Sequence, residues 1–163
     1  MPHEHEAGKA PRTPTPEEVR VVGLVPLLEP YFRKGVVREQ MPERLREAME
    51  SNGLTPRHGA VLPQLLAGPP LSVSELAGRL HISLSTASEL VGALSRAGIV
   101  ERNEDPANRR RTLVSLAAPY RPLLETFLAR RLEPLLRALD GLSPADRSGF
   151  LAGLEAWAAE VQK

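Results

Sequence analysis

The 163-residue sequence contains no cysteine. That excludes disulfides, thiol nucleophiles and thiol-based redox sensing, and it points to the cytoplasm. There is no excess of either charge: 21 basic residues against 20 acidic ones leave a formal +1 at pH 7. No global field therefore argues for a polyanionic partner, and any such partner has to be recognised from local placement. Lysine is scarce. Only Lys9, Lys34 and Lys163 occur, and the other 18 basic residues are arginine, whose planar fork suits phosphate and guanine edges. No long hydrophobic run is present; the stretch "VVGLVPLL" is too short, and too broken by Pro26, to span a bilayer. The opening "MPHEHEAGKAPRTP" lacks the basic-then-apolar order of a signal peptide. Residues 1–14 read as a disordered tail, and "HEHE" as part of it rather than as a metal site. No phosphate-binding glycine loop, metal-spaced histidine pair outside that tail, or nucleophile–base set appears, so neither an enzyme nor a cofactor is expected.

What is present is mostly helical pattern, and the hydrophobic fraction of 42% supports a core. Thr15, Pro16 and Glu18 have the spacing of a capping box with proline in the first turn. A helical region follows to about Glu50, and Pro26, Pro30 and Pro42 divide it into two or three pieces. Thr55 and Pro56 restart a helix with an apolar face of Val61, Leu62, Leu65 and Leu66; Pro63 inside it has no account at this level. After "GPP", Ser72 and Glu75 form a second capping box ahead of a short helix. His81-Ile82-Ser83 makes a tight turn, and Ser83 caps the next helix, which Gly98 ends. Ile99 to Arg102 and Arg111 to Leu116 alternate as two strands, and the polar turn between them carries the arginines. The rest is helical. One stripe contains Leu124, Phe127, Leu128 and Leu135, with Pro134 as a kink; a second, capped by Ser143, contains Leu151, Leu154 and Trp157.

At 100° per residue, Leu84, Ala87, Leu90, Val91 and Leu94 share one arc of the helix after Ser83. The opposite side carries Ser85, Ser88, Glu89, Gly92, Ser95 and Arg96, with Thr86 at the margin. Such a small, hydroxyl-rich face is either a tolerated surface or one shaped to enter a major groove. Taken alone, Arg109, Arg110 and Arg111 are either a solvated turn or a polyanion contact. Short helix, tight turn, serine-rich helix and arginine-tipped hairpin, in that order, make a winged helix-turn-helix, which favours the groove and the phosphate.

Three segments, "LTPRHGAVLPQL", "SVSELAGRLHISLSTASELVGALSRAGIVER" and "EDPANRRRTLVSL", resemble the MarR (multiple antibiotic resistance regulator) family. The resemblance implies a mainly α fold with a small two-stranded wing. Residues 15–53 would be N-terminal dimerisation helices, 54–117 a winged DNA-binding lobe, and 118–163 C-terminal dimerisation helices. It implies a homodimer closed by Leu124, Phe127, Leu128, Leu135, Leu151, Leu154 and Trp157. Double-stranded DNA would be bound by Ser83, Ser85, Thr86, Ser88, Glu89 and Arg96 of the helix and by Asn108, Arg109, Arg110 and Arg111 of the wing. A small aromatic effector is implied between lobe and dimerisation helices, with Phe32, Arg57 and His58 as its candidates. The family usually has aspartate where this chain has Asn108, so a less pre-ordered wing is expected. It usually has Thr and Gly where this chain has "AAPY", which leaves the start of the next helix open. A winged protein-interaction module without DNA is the second reading the sequence allows.

Overall fold

The computed structural model describes residues 12–162. The His-Glu pairs of the N-terminal stretch lie outside the described residues. Helix α1 (Pro16–Leu24) begins at its capping box: Glu18 donates its amide to Thr15 Oγ1 at 3.3 Å, and Thr15 donates its own to Glu18 Oε2 at 2.7 Å. The Arg12 guanidinium and the Thr15 amide hold the Glu18 carboxyl down at about 2. Next come a 3-10 turn (Val25–Leu28), α2 (Glu29–Phe32), α3 (Lys34–Gln40) and α4 (Glu43–Ser51). The region is cut more finely than the two or three pieces expected. Pro26 and Pro30 each sit in the first turn of a new piece, and Pro42 immediately precedes α4. A missing amide costs nothing there, so each proline starts a helix rather than bending one.

The chain divides into two compact units, one ending at Glu39 and one beginning at Gln40. In the first, Val19, Val21, Val22, Leu24, Leu27, Leu28 and Phe32 are all exposed.

The second unit holds the lobe. Its helices α5 (Pro56–Gly59) and α6 (Val61–Leu66) are one apolar stretch broken at Ala60. The break accounts for Pro63, which falls in the first turn of α6, where no intrahelical amide is needed. Strand β1 (Leu71–Ser72), α7 (Val73–Leu80), α8 (Leu84–Arg96), β2 (Val100–Asp105) and β3 (Asn108–Leu116) follow. The sheet has three antiparallel strands in the order β1-β3-β2, not two; β1 adds Leu71 opposite Val114. Two residues show no alternation, so β1 could not be read from pattern, and Ser72 also serves as the N-cap of α7.

Gly98, at φ +70, ends α8: its amide reaches Ser95 O, and that of Ile99 reaches Leu94 O, both at 3.0 Å. Ile99 then enters a core with Leu45, Val61, Leu65, Leu76, Val91, Leu94 and Val114. Helix α9 (Arg121–Arg131) packs on α6, which buries Leu124 and Phe127 to 3% and 8% exposure. Those two residues, expected to face a second protomer, are occupied by the lobe's own core. Helix α10 (Glu133–Asp140) has Pro134 in its first turn, and Leu128 and Leu135 are half-buried. Helix α11 (Pro144–Val161) is capped by Ser143 Oγ, which accepts the Asp146 amide at 3.2 Å. It leaves Phe150, Leu151, Leu154 and Trp157 exposed.

Candidate nucleic-acid interface

Capping at both ends of a tight turn sets up α8. At its start α7 is fixed by Ser72 and Glu75: Ser72 donates its amide to Glu75 Oε2 at 2.7 Å and accepts the Glu75 amide at 3.2 Å. At its end the chain turns on His81, at φ 53 the one non-glycine residue with positive φ among the described residues. The His81 amide reaches Gly78 O at 3.3 Å and that of Ile82 reaches Ala77 O at 3.1 Å, the same closure that Gly98 gives α8.

Ser83 then caps α8. Its Oγ accepts the Thr86 amide at 3.1 Å and lies 3.0 Å from Ser85 Oγ and 2.8 Å from Thr86 Oγ1. A hydroxyl has one proton and two lone pairs, so three partners fill Ser83. Its side chain is spent on holding the first turn, and only its backbone is left to meet a ligand. Ser85, Ser88 and Glu89 are exposed, and Thr86 is half-buried. Arg96 lies back along the helix over Gly92, where an added Cβ would stand 3.4 Å from its Nη1. Ala87, Leu90, Val91 and Leu94 are buried as their arc requires, but Leu84 is not: it is 57% exposed. It occupies the first position of the helix, beyond the reach of the core that covers the turns behind it.

The wing explains the arginines. Glu104 faces Thr112 and Asp105 faces Asn108. One step on β2 is thus matched on β3 by a stretch that includes Arg109, Arg110 and Arg111, and none of these three has a residue opposite it. Such a bulge sharpens the local twist and turns side chains out of the ladder. Asp105 Oδ1 accepts the Ala107 amide at 2.9 Å, and Asn108 Oδ1 accepts the Arg110 amide at 3.1 Å. Asn108 therefore shapes the wing through the backbone, a role its neutral amide fills without an ion pair.

The three arginines divide. Arg109 and Arg110 are exposed. Arg111 turns inward: its Nη2 lies 2.6 Å from Glu75 Oε2 and its Nη1 3.8 Å from Asp105 Oδ2. The Arg111 bond, with the Ser72 amide and hydroxyl behind it, holds the Glu75 carboxyl down at about 2, and Glu75 raises Arg111 in return. One carboxylate oxygen both caps α7 and tethers the wing. The capping box was legible in the sequence; the tether was not, because 36 positions separate Glu75 from Arg111.

Of the residues considered for an effector, Phe32 belongs to the first unit, where its ring meets Tyr31 edge-on at 5.0 Å. Arg57 is exposed on α5. His58 Nδ1 lies 3.0 Å from the Thr55 amide, which it accepts, and 2.9 Å from Thr55 Oγ1, so His58 is a helix-capping side chain. Tyr120, in the "AAPY" stretch, immediately precedes α9 without a side-chain cap and lies under the Arg44 guanidinium at 5.5 Å. Among the described residues no group of three His, Cys, Asp or Glu side chains could hold a metal, and no helix is long and apolar enough to cross a membrane.

The model of the MarR family matches residues 52–111, which run from the end of α4 through the arginine bulge. Over that segment the chain is similar to the MarR family. Two Bacillus subtilis HTH-type transcriptional regulators are similar to this chain: YsmB, 27% identical over 90 residues, and YfiV, 29% identical over 84. Those matches cover 55% and 52% of the chain, and the chain spans 62% and 52% of the two relatives' lengths. Among solved structures, a MepR-like protein complexed with pseudoligands superposes with a TM-score of 0.59 at 19% identity, covering 91% of this chain and 98% of that one. A MepR point mutant of S. aureus, bound to an oligodeoxyribonucleotide, gives 0.51 at 20%, covering 86% and 98%. Both show that the chain shares its fold with those proteins over most of its length.

Proposed function

We propose that this protein is a MarR-family transcriptional regulator that binds double-stranded DNA as a homodimer, places α8 in the major groove and rests the wing on the flanking backbone. The observation that carries the reading is the pairing of the exposed Ser85, Ser88 and Glu89 on α8 with an arginine bulge in the same lobe. Small polar side chains let a helix sit deep in the groove, and Arg109 and Arg110 supply the local positive charge that the near-neutral chain lacks overall. The DNA-bound MepR mutant shares the fold and supports the assignment. A two-fold dimer reads a palindrome with half-sites about 34–36 Å apart. The protein acts as a repressor whose effector favours one lobe spacing over another, and it works in the cytoplasm.

A salt titration of binding to duplex DNA tests the reading. Affinity falls steeply with salt as phosphate contacts release counterions, and Arg110→Ala lowers the slope by about one unit per protomer bound. A flat salt response, or no binding at low salt, would instead fit a winged protein-interaction module.

A further inference from the structure

Leu84 is the one large apolar side chain exposed among the described residues between 40 and 135. Every other Leu, Ile, Val, Met or Phe there is buried or half-buried. The exception stands at the first position of the recognition helix, between Ser83 and Ser85 and one turn before the exposed Ser88. Its neighbours fix the first turn: the Ser85 and Thr86 hydroxyls each bond to that of Ser83, at 3.0 and 2.8 Å. They are also partly consumed by that network, which leaves them less hydrogen-bonding capacity for a base than the sequence suggests.

The N-terminal turn of a recognition helix is the part that meets base edges. The apolar feature a major groove offers there is the 5-methyl group of thymine; the remaining edge atoms are donors and acceptors. We propose that Leu84 is a specificity-determining residue, reading the 5-methyl of one thymine in each half-site by apolar contact. The inference rests on the DNA-binding reading above and adds to it a base and the side chain that reads it.

Replacing thymine by deoxyuridine removes the methyl and nothing else. A preferred duplex is first selected from a random-sequence pool with the full chain. Each thymine of the half-site is then changed to deoxyuridine in turn, and binding is measured for the wild type, Leu84→Ser and Leu84→Met. The expected result is one position at which the wild type loses about four-fold per half-site, the effect of exposing one methyl. Leu84→Ser shows no loss at that position and keeps its response elsewhere and its salt slope; Leu84→Met, still apolar and able to reach the groove, keeps the loss. A wild type indifferent to every methyl, or a Leu84→Ser protein as sensitive as the wild type, overturns the inference while salt-dependent binding leaves the DNA reading intact. Absence of salt-dependent duplex binding by the wild type overturns both.

Discussion

At the scale of single residues, the helix-turn-helix contains one conformational cost. His81 adopts the left-handed conformation that glycine adopts freely, as Gly98 does at the end of α8. His81→Gly is expected to raise stability by about 0.5–1 kcal/mol, the strain relieved less the extra entropy of glycine in the unfolded chain. The test is a urea midpoint that rises with an unchanged m-value; a midpoint that falls would mean that the His81 side chain makes a stabilising contact outweighing its backbone cost. Ser83 and His58 show how a residue type can suggest one use and its surroundings assign another. Both are polar residues beside functional segments, and both spend their side chains on helix ends.

At the scale of elements, the wing and the helix-turn-helix are joined through one carboxylate. Glu75 normally titrates near 4.5 and is held at about 2 by Arg111 and Ser72. A depressed carboxylate contributes its stabilisation fully above the unfolded value and loses it as pH falls through the folded one. Glu75→Gln keeps the shape of the cap and removes the charge. The gap in melting temperature between the wild type and Glu75→Gln is therefore expected to be constant from pH 7 to about pH 5 and to close between there and pH 2. A gap independent of pH over that range would show that the tether does not titrate with Glu75. Because Arg111 is already paired, Arg111→Ala should loosen the wing, whereas Arg110→Ala acts on the salt dependence of binding; the contrast separates the arginine that orients from the one proposed to touch phosphate.

At the scale of the whole molecule, Leu84 apart, the exposed apolar surface among the described residues lies outside the lobe. It is borne by the first unit and by α11, whose Phe150, Leu151, Leu154 and Trp157 recur on one face. Surfaces of this kind mark association, consistent with the proposed homodimer. Leu154→Glu together with Trp157→Ser is expected to shift sedimentation from dimer to monomer at micromolar concentration and to weaken duplex binding by at least ten-fold. A variant that still sediments as the wild type does would place the protomer contact elsewhere. Leu124 and Phe127 are the contrast: on sequence alone they matched this group, yet Leu124→Ala is expected to lower lobe stability by about 2–4 kcal/mol, as a core cavity does.

Local rules were enough to read much of this protein. The caps at Thr15, Ser72, Ser83 and Ser143, the glycine stop at Gly98 and the buried arc of α8 all follow from neighbours within one turn. So does the order helix, turn, helix, hairpin, since each signal is short-range and repeats with the period of its element. Tertiary structure decided what depends on distant partners: that Leu84 is left uncovered while Leu124 is buried, that Leu71 finds Val114, and that Arg111 finds Glu75. Periodicity states which face of a helix is apolar; only packing states how far along the helix the cover extends. Charge patterning likewise brought three arginines to one turn, but the strand register put them in the bulge and the carboxylates beside it selected which of them turned inward.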